Sequence, residues 1–248
     1  MYKDIDDILE GWEYNPHELN VRVIKGKDEK EKLQLRLDLG LLQMEMDGRP
    51  DGKRPYNKDS FLQYYKFLVE EQIKFTGSDK AFKLDVDDLV KLQQEALQYY
   101  HRYLCFFQIE DFEHAVRDTA RNLEVVDFVQ KYCDNEEDSW NFVQHWPYIK
   151  MMNTRAQASI ALEHKRFDEA IVFIKDGIEM IKNFFKQYEM SHDRKNSREV
   201  EFLEDWAKSV TKSKPQSPRQ KLEKKLQQAI SKEEYEKAAK IRDKLKSL

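Results

Sequence analysis

The sequence predicts a mainly α-helical protein with a small N-terminal antiparallel β-hairpin element and a C-terminal helical hairpin. The chain has only 7 Gly and 6 Pro in 248 residues, which is typical of long helices with few turns. Apolar residues recur at helical spacing almost without interruption from Asp59 onward, whereas strand-like alternation is confined to the stretch between Asn20 and Met46. A hydrophobic share of 40% is enough for one sizeable core.

The first sixty residues combine a short helix with a sheet. Four apolar residues at helical spacing predict an amphipathic helix that is either a lid on the body or an anchor for a second copy, and they are Ile5, Ile8, Leu9 and Trp12. Residues 20–25 alternate, and a turn at residues 26–28 leads to a second alternating run that contains Leu33, Leu35, Leu37 and Leu39. The apolar phase changes after Gly40. We therefore expect a bulge or bend at Gly40-Leu41 that leads into a third strand or turns the same one.

A dense cluster of turn residues from Asp47 to Pro55 ends the predicted sheet. It carries three basic side chains, Arg49, Lys53 and Arg54. These residues form either an anion-binding loop for a phosphate or an acidic partner, or a solvated exit loop, and the second interpretation is favoured.

Two predicted helix pairs within residues 59–210 have similar sequences. Tyr103-x-x-Phe106 precedes Asp111-Phe112-Glu113-His114-Ala115, and Ala158-x-x-Ala161 precedes Arg166-Phe167-Asp168-Glu169-Ala170. The second pair, with Gly177 further along, is similar to a tetratricopeptide repeat. That resemblance implies a tetratricopeptide-like helical domain with a groove for peptides or helices. The first pair departs from the pattern at Asn122, and a spacing of 55 residues argues against a regular array.

Aromatic residues are concentrated from Trp140 to Tyr148. Aromatic side chains can stack on the bases of single-stranded nucleic acid. The acidic run of residues 134–138 just before them would repel a phosphate backbone, so a core plug between helix pairs is the preferred interpretation.

The C-terminal segment has two apolar stripes at helical spacing, separated by a break at Ser231-Lys232. Pro218 suits a first helical turn. The segment resembles the UVR motif, the helical hairpin of the UvrB and UvrC repair proteins that is also found in protein-arginine kinase activators and some Clp ATPases. The resemblance implies a protein-protein contact device, and the predicted partner-binding residues are Leu222, Leu226, Ala229, Ile230, Tyr235, Ala238, Ala239, Ile241, Arg242 and Leu245.

Two helices of this length cannot bury enough apolar surface to be stable alone, so the hairpin must pack on something. Ala238 and Ala239 are small enough to let two helices approach closely. A protein partner is expected, either another UVR-like hairpin or a second copy in a homodimer through a coiled-coil contact. Packing of the hairpin onto its own chain is the alternative.

The C-terminal segment, hereafter the tail, differs in charge from the rest of the chain, hereafter the body. Residues 212–248 hold 12 Lys or Arg against 5 Asp or Glu, whereas residues 1–211 hold 31 against 42. This asymmetry fits an acidic partner, nucleic acid or attraction between tail and body, and direct binding of nucleic acid is disfavoured. The predicted division is an N-terminal helix and β-hairpin element at 1–58, a helical domain at 59–210, a polar linker at 211–218 and the UVR-like hairpin at 219–248.

The residue types required for common catalytic chemistry are scattered. The six histidines lie far apart, no Cys-x-x-Cys pair suggests zinc, and no glycine-rich loop suggests a nucleotide. Cys105 and Cys133 are predicted to be reduced thiols, and neither a signal peptide nor a membrane span is expected. The sequence therefore predicts a non-catalytic adaptor of a bacterial cytoplasm with no cofactor and no metal. A protein of DNA repair, acting at nucleic acid directly or through a partner, is the alternative.

Overall fold

The structure is a computed structural model that describes residues 4–190, 197–215 and 218–246. Met1–Ala207 forms one compact unit and Lys208–Leu248 forms a second. The strands are β1 (Val21–Lys25), β2 (Glu31–Leu37) and β3 (Gly40–Glu45). The helices are α1 (Asp6–Leu9), α2 (Phe61–Thr76), α3 (Val86–Gln108), α4 (Phe112–Tyr132), α5 (Glu136–Val143), α6 (Trp146–Glu163), α7 (Phe167–Gln187), α8 (Arg198–Ser213), α9 (Pro218–Ser231) and α10 (Tyr235–Lys246). This architecture confirms the predicted mainly helical fold.

The sheet is an antiparallel meander in the order β1-β2-β3. Leu37 pairs with Gly40, so Asp38 and Leu39 form a two-residue turn. Leu39 is 93% exposed and contributes nothing to the core. The expected third strand is confirmed as β3, whereas the expected bulge at Gly40-Leu41 is wrong: the apolar phase changes because a two-residue turn places odd-numbered residues of β2 opposite even-numbered residues of β3.

The N-terminal helix is shorter than the spacing predicted, and Trp12 lies beyond its end. The guanidinium of Arg22, on β1, stacks over the Trp12 ring at 3.9 Å. Arg22 also donates to the carbonyl oxygen of Ile8 at 2.9 Å. These contacts attach the segment to the sheet through a cation–π interaction and a hydrogen bond.

Side chains at the helix N-termini explain where several helices begin. The Ser60 hydroxyl accepts from the Gln63 N–H at 3.1 Å at the start of α2. Asp85 and Asp88 form a capping box at the start of α3. Asp111 accepts from the His114 N–H at 3.2 Å and caps α4. Each cap satisfies a backbone donor that has no partner within its helix.

The sheet and the helices share one hydrophobic core. Its buried residues come from β2, β3, α3, α4 and α6, and they include Leu33, Leu35, Met44, Tyr103, Phe106, Ala115, Met152 and Ala156. The boundary predicted between residues 58 and 59 therefore does not separate two cores, because the apolar face of the sheet is buried against the helices rather than within the sheet itself.

A buried ionic network joins the sheet's exit to the helices. Arg102 donates to both Asp118 oxygens, at 2.6 and 2.9 Å, and to the Glu45 carbonyl oxygen at 2.9 Å. Arg117 donates to the Met46 carbonyl oxygen at 2.7 Å. Because Arg102 and Asp118 are fully buried, their bidentate pairing offsets the cost of removing both charges from water.

The second unit starts within α8, at Lys208, and contains α9 and α10. The predicted linker, residues 211–218, is partly wrong, because α8 continues to Ser213 and α9 begins at Pro218. Only Lys214 and Pro215 of that stretch are described and non-helical, while residues 216 and 217 lie outside the described residues. Acidic residues in the first turn of α8, Glu199 and Glu201, and Lys212 in its last turn complement the helix dipole and favour a helix that continues into the predicted linker.

Candidate functional site

The α9–α10 hairpin is closed by a tight turn with a left-handed residue. Glu233 has φ 57°. The Glu233 N–H donates to the Ile230 carbonyl oxygen at 3.0 Å, and the Glu234 N–H donates to the Ala229 carbonyl oxygen at 2.8 Å. These two bonds form a Schellman motif, which ends α9 and reverses the chain into α10.

The hairpin buries only small side chains fully. Ala229 on α9 and Ala238 on α10 are buried, as expected where two helices come close together. Five of the remaining predicted positions are half-buried: Leu222, Leu226, Ala239, Ile241 and Leu245. Ile230, Tyr235 and Arg242 are exposed. The ten predicted residues therefore divide into seven that are buried or half-buried and three, hereafter the outer face, that lie open at the surface.

The same turn closes two hairpins of the first unit. Glu110 between α3 and α4 and Lys165 between α6 and α7 also have positive φ, 60° and 58°. The N–H after each donates five residues back: Asp111 to Phe106 at 2.9 Å, and Arg166 to Ala161 at 2.8 Å. The three hairpins thus share one backbone connection.

Side chains around the three turns also correspond. The second helix of each hairpin begins with an aromatic residue, then an acidic residue, and reaches alanine three positions after the aromatic, in the segments Phe112–Ala115, Phe167–Ala170 and Tyr235–Ala238. All three alanines are buried. Sequence reasoning matched the first two pairs but missed the third, although the Tyr-Glu-Lys-Ala segment carried the signal.

A neighbouring helix covers the counterpart positions in α3–α4. Arg155 on α6 lies over the Phe107 ring at 4.8 Å, and Phe107 corresponds to Ile230. Asn153 on α6 donates to the Thr119 hydroxyl at 3.0 Å, and Thr119 corresponds to Arg242. In α6–α7 the corresponding Ile174 is fully buried.

The outer face is therefore the part of α9–α10 whose counterparts in the first unit are buried or half-buried. Tyr235 is 69% exposed, whereas its counterparts Phe112 and Phe167 are half-buried. An exposed aromatic, an exposed aliphatic and an exposed arginine together have the composition of a binding hot spot.

Charge at the turn also stabilises the start of α10. Lys237 donates to a Glu234 carboxylate oxygen at 2.8 Å. The hydrogen bond from Lys237 lowers the pKa of the Glu234 carboxyl, which remains ionised at the N-terminus of α10, where the helix dipole favours negative charge.

The predicted anion-binding loop is reorganised by one of its own arginines. Arg49 is largely buried, lies over the Phe61 ring at 4.7 Å and pairs with Glu95 at 3.4 Å. Arg49 therefore attaches the loop to α2 and α3 and is not free for an anion. Arg54 pairs with Asp59 at 2.8 Å in an exposed position. Anion binding by Lys53 and Arg54 stays a prediction.

No group of three or more metal-ligating side chains is brought together among residues 4–190, 197–215 and 218–246. Across the same described ranges, none of the helices combines the length and the apolar character that a membrane span needs.

Comparison with protein families identifies the C-terminal hairpin. The family model of the UVR motif, described as the UvrB/uvrC motif, matches residues 218–248. The match confirms the UVR resemblance of the tail and covers α9, its turn and α10. Searches of the curated proteins and of the solved structures found no match to the chain.

Proposed function

We propose that this chain is a non-catalytic adaptor that docks partner proteins through the outer face of its UVR-type hairpin, while its helical body holds a second partner. The observation that carries the proposal is the exposure of Ile230, Tyr235 and Arg242 at positions that are buried or half-buried in the two corresponding hairpins. An exposed aromatic at such a position supports docking, since burying a large ring removes apolar surface from water.

The partner class follows from the chemistry of the outer face. The ring and the aliphatic side chain favour an apolar helix surface, and Arg242 favours a carboxylate in the contact. Arg242 lies near Asp243, with 3.3 Å between charged atoms, in an exposed pair that is worth little by itself. A second UVR-type hairpin, from another protein or another copy of this chain, combines these features. The tetratricopeptide-like character of the body, a cytoplasmic location and a bacterial context are parts of the same proposal.

An exposed tyrosine in the first unit gives a matched test. Tyr235→Ser removes the ring from the outer face, and Tyr56→Ser removes a ring that is 59% exposed elsewhere. Self-association is measured by sedimentation velocity on the full chain, and captured proteins are compared between the two variants by mass spectrometry. Tyr235→Ser should weaken the contact by about 2 kcal/mol, or about thirtyfold in Kd, while Tyr56→Ser leaves it unchanged. Equal behaviour of both variants contradicts docking through the outer face.

Action at nucleic acid is the second candidate. The basic excess of residues 212–248 and the description of the matched family as the UvrB/uvrC motif favour it. Anisotropy of labelled single-stranded DNA, titrated with the purified chain at several salt concentrations, tests direct binding. Recovery of repair proteins with wild type but not with Tyr235→Ser would instead support repair through a partner.

A further inference from the structure

One face of α3 carries a largely exposed row of residues with coiled-coil spacing. Val86, Val90, Gln93, Leu97 and Tyr100 follow one another at intervals of four, three, four and three residues. This is the spacing of the contact positions in a helix that packs along another helix. Three of these residues, Val86, Val90 and Leu97, are exposed apolar side chains. We call these five residues the α3 seam, and it extends about 21 Å along the helix.

The C-terminal half of the α3 seam opens into a cleft of about 610 Å³. Gln93, Leu97 and Tyr100 contribute to its wall. Its floor consists of buried side chains from α3, α4, α5 and α6, and these are Tyr103, Val125, Val126, Phe142 and Ile149. A cleft of this size, apolar at the bottom with a few polar groups at the rim, is typical of a binding site.

The described residues that line the cleft include no Asp, Glu, Lys or Arg, although 36% of the chain is charged. The polar groups at the rim are neutral amides and phenols together with one imidazole, from Gln94, Asn141, His145 and Tyr148. Burial raises the pKa of the Tyr148 phenol to about 12, so it stays neutral at physiological pH. An occupant that fits this cleft therefore inserts an uncharged group.

The opposite end of the α3 seam is acidic. The Leu84 N–H donates to the Tyr132 carbonyl oxygen at 3.0 Å and Lys83 pairs with Asp134, which holds the start of α3 beside the segment that leads into α5. The first turn of α3 carries Asp87, and the first turn of α5 carries Glu136, Glu137 and Asp138. A ligand that extends along the seam meets these carboxylates at one end, which favours positive charge there.

Length and area decide between classes of occupant. A small molecule could fill the cleft but would leave Val86 and Val90 uncovered. A helix laid along the α3 seam covers the whole row, and because one helix-to-helix contact buries little area, it needs an anchor side chain in a pocket.

We propose that the α3 seam and its cleft bind an amphipathic helix of a partner protein, with an uncharged contact row, a large aromatic anchor in the cleft and a basic end over the acidic first turns of α3 and α5. This deepens the proposed function, because it gives the chemistry of the partner held by the body. It uses a surface separate from the outer face of the hairpin, so each contact is tested independently.

The test uses a fluorescein-labelled peptide of about 21 residues, long enough to span the α3 seam as a helix. The peptide has leucine at the contact positions, one central tryptophan as anchor, glutamine elsewhere and lysine towards one end. A second peptide of identical composition places the leucines at every other residue, which removes the helical seam. Anisotropy titrations are made with the full chain and with four variants.

Leu97→Asp places a charge in the C-terminal half of the α3 seam, at the wall of the cleft, and Val172→Asp is its matched control, since the two wild-type side chains are 53% and 54% exposed. Leu97→Asp should raise the Kd for the helical peptide at least tenfold, which corresponds to a loss of about 1.4 kcal/mol or more in binding free energy. Val172→Asp should leave this Kd within about twofold of the wild-type value. Asn141→Trp, at the rim of the cleft, should weaken binding by obstructing the anchor. Tyr235→Ser should bind as wild type.

Four results overturn the proposal: no binding of the helical peptide, equal binding of the respaced peptide, retained affinity in Leu97→Asp, or loss of affinity in Tyr235→Ser. Sedimentation of the same variants decides between a partner helix and a second copy. A wild-type dimer that Leu97→Asp dissociates would assign the α3 seam to self-association instead. Failure of the peptide to bind leaves the outer-face test of Tyr235→Ser unaffected.

Discussion

The α3–α4 and α9–α10 hairpins reverse the chain with the same backbone bonds but bury different amounts of their surface. In α3–α4, Phe107 and Thr119 lie against α6 through Arg155 and Asn153. In α9–α10 the corresponding Ile230 and Arg242 are exposed. The turn and the buried alanine that follows it therefore specify a helical hairpin in both places. Whether the positions of Ile230 and Arg242 are buried depends on a neighbouring helix that packs over them.

This difference has a consequence for what holds each hairpin together. The first unit adds the Arg102–Asp118 ion pair and a sheet to its α3–α4 hairpin. The tail hairpin fully buries only Ala229 and Ala238 among its described side chains. Two short helices with such a small contact are marginal in water, so binding on the outer face would stabilise α9–α10.

The corresponding buried alanines give the largest contrast. Ala115→Asp places a carboxylate in the core between the sheet and the helices, and the free energy of unfolding of the first unit should fall by more than about 4 kcal/mol. Ala238→Asp should disrupt only α9–α10. All four tryptophans lie in the first unit, so their fluorescence follows its unfolding, while circular dichroism follows both units.

Ala81→Asp is the control for these substitutions, because Ala81 is exposed. It should leave both signals within about 0.5 kcal/mol of wild type. If Ala238→Asp shifts the tryptophan transition as far as Ala115→Asp does, the hairpin is a packed part of the first unit and the contrast between the two hairpins fails.

The buried ion pair of α3–α4 gives the next effect. Asp118→Ala leaves the Arg102 guanidinium buried with only the Glu45 carbonyl oxygen as a partner, at a cost of about 3 kcal/mol. The tail has Ile241 at the position of Asp118, and the neighbouring Arg242 is exposed. Arg242→Ala should therefore leave thermal unfolding unchanged and act on partner binding alone. Urea unfolding of both variants checks this, and a loss below about 1 kcal/mol for Asp118→Ala would contradict the assigned role of the pair.

A close approach between α6 and α7 gives a smaller effect. A Cβ added at Gly177 would lie 2.3 Å from the Thr154 hydroxyl oxygen, so the two helices must move apart. Gly177→Ala should destabilise the first unit by about 1–3 kcal/mol in thermal melts. The double variant with Thr154→Ala should recover part of this loss, because it removes the two closest atoms. Additive losses would show that the contact does not limit the helix spacing.

The sequence predicted the helix-rich fold and the tail hairpin because periodicity and the UVR pattern are local properties. It did not predict that the sheet and the helices share one hydrophobic core, because the packing of Leu33 and Met44 against α3, α4 and α6 is a tertiary contact. Arg49 was placed on an exposed loop because its partner Glu95 lies 46 positions further along the chain. The α3 seam escaped notice because its apolar residues match a core stripe, and only their exposure in the structure distinguishes the two.

The smallest expected effect on stability comes from comparing two separate thiols at corresponding positions of the two hairpins. The reactivity of each thiol measures whether its hairpin is covered. Cys105 in α3 is fully buried, and burial raises the pKa of its thiol to about 12, so Ellman's reagent should not modify it until the protein unfolds. Gln228 occupies the corresponding position in α9 and is exposed. In a Cys133→Ser background, Gln228→Cys should change stability by less than about 0.5 kcal/mol and should react at the rate of an unfolded peptide thiol. Protection that grows with protein concentration would indicate a second copy on the hairpin, and protection at the lowest concentration would mean that the chain itself covers α9, which contradicts an open hairpin.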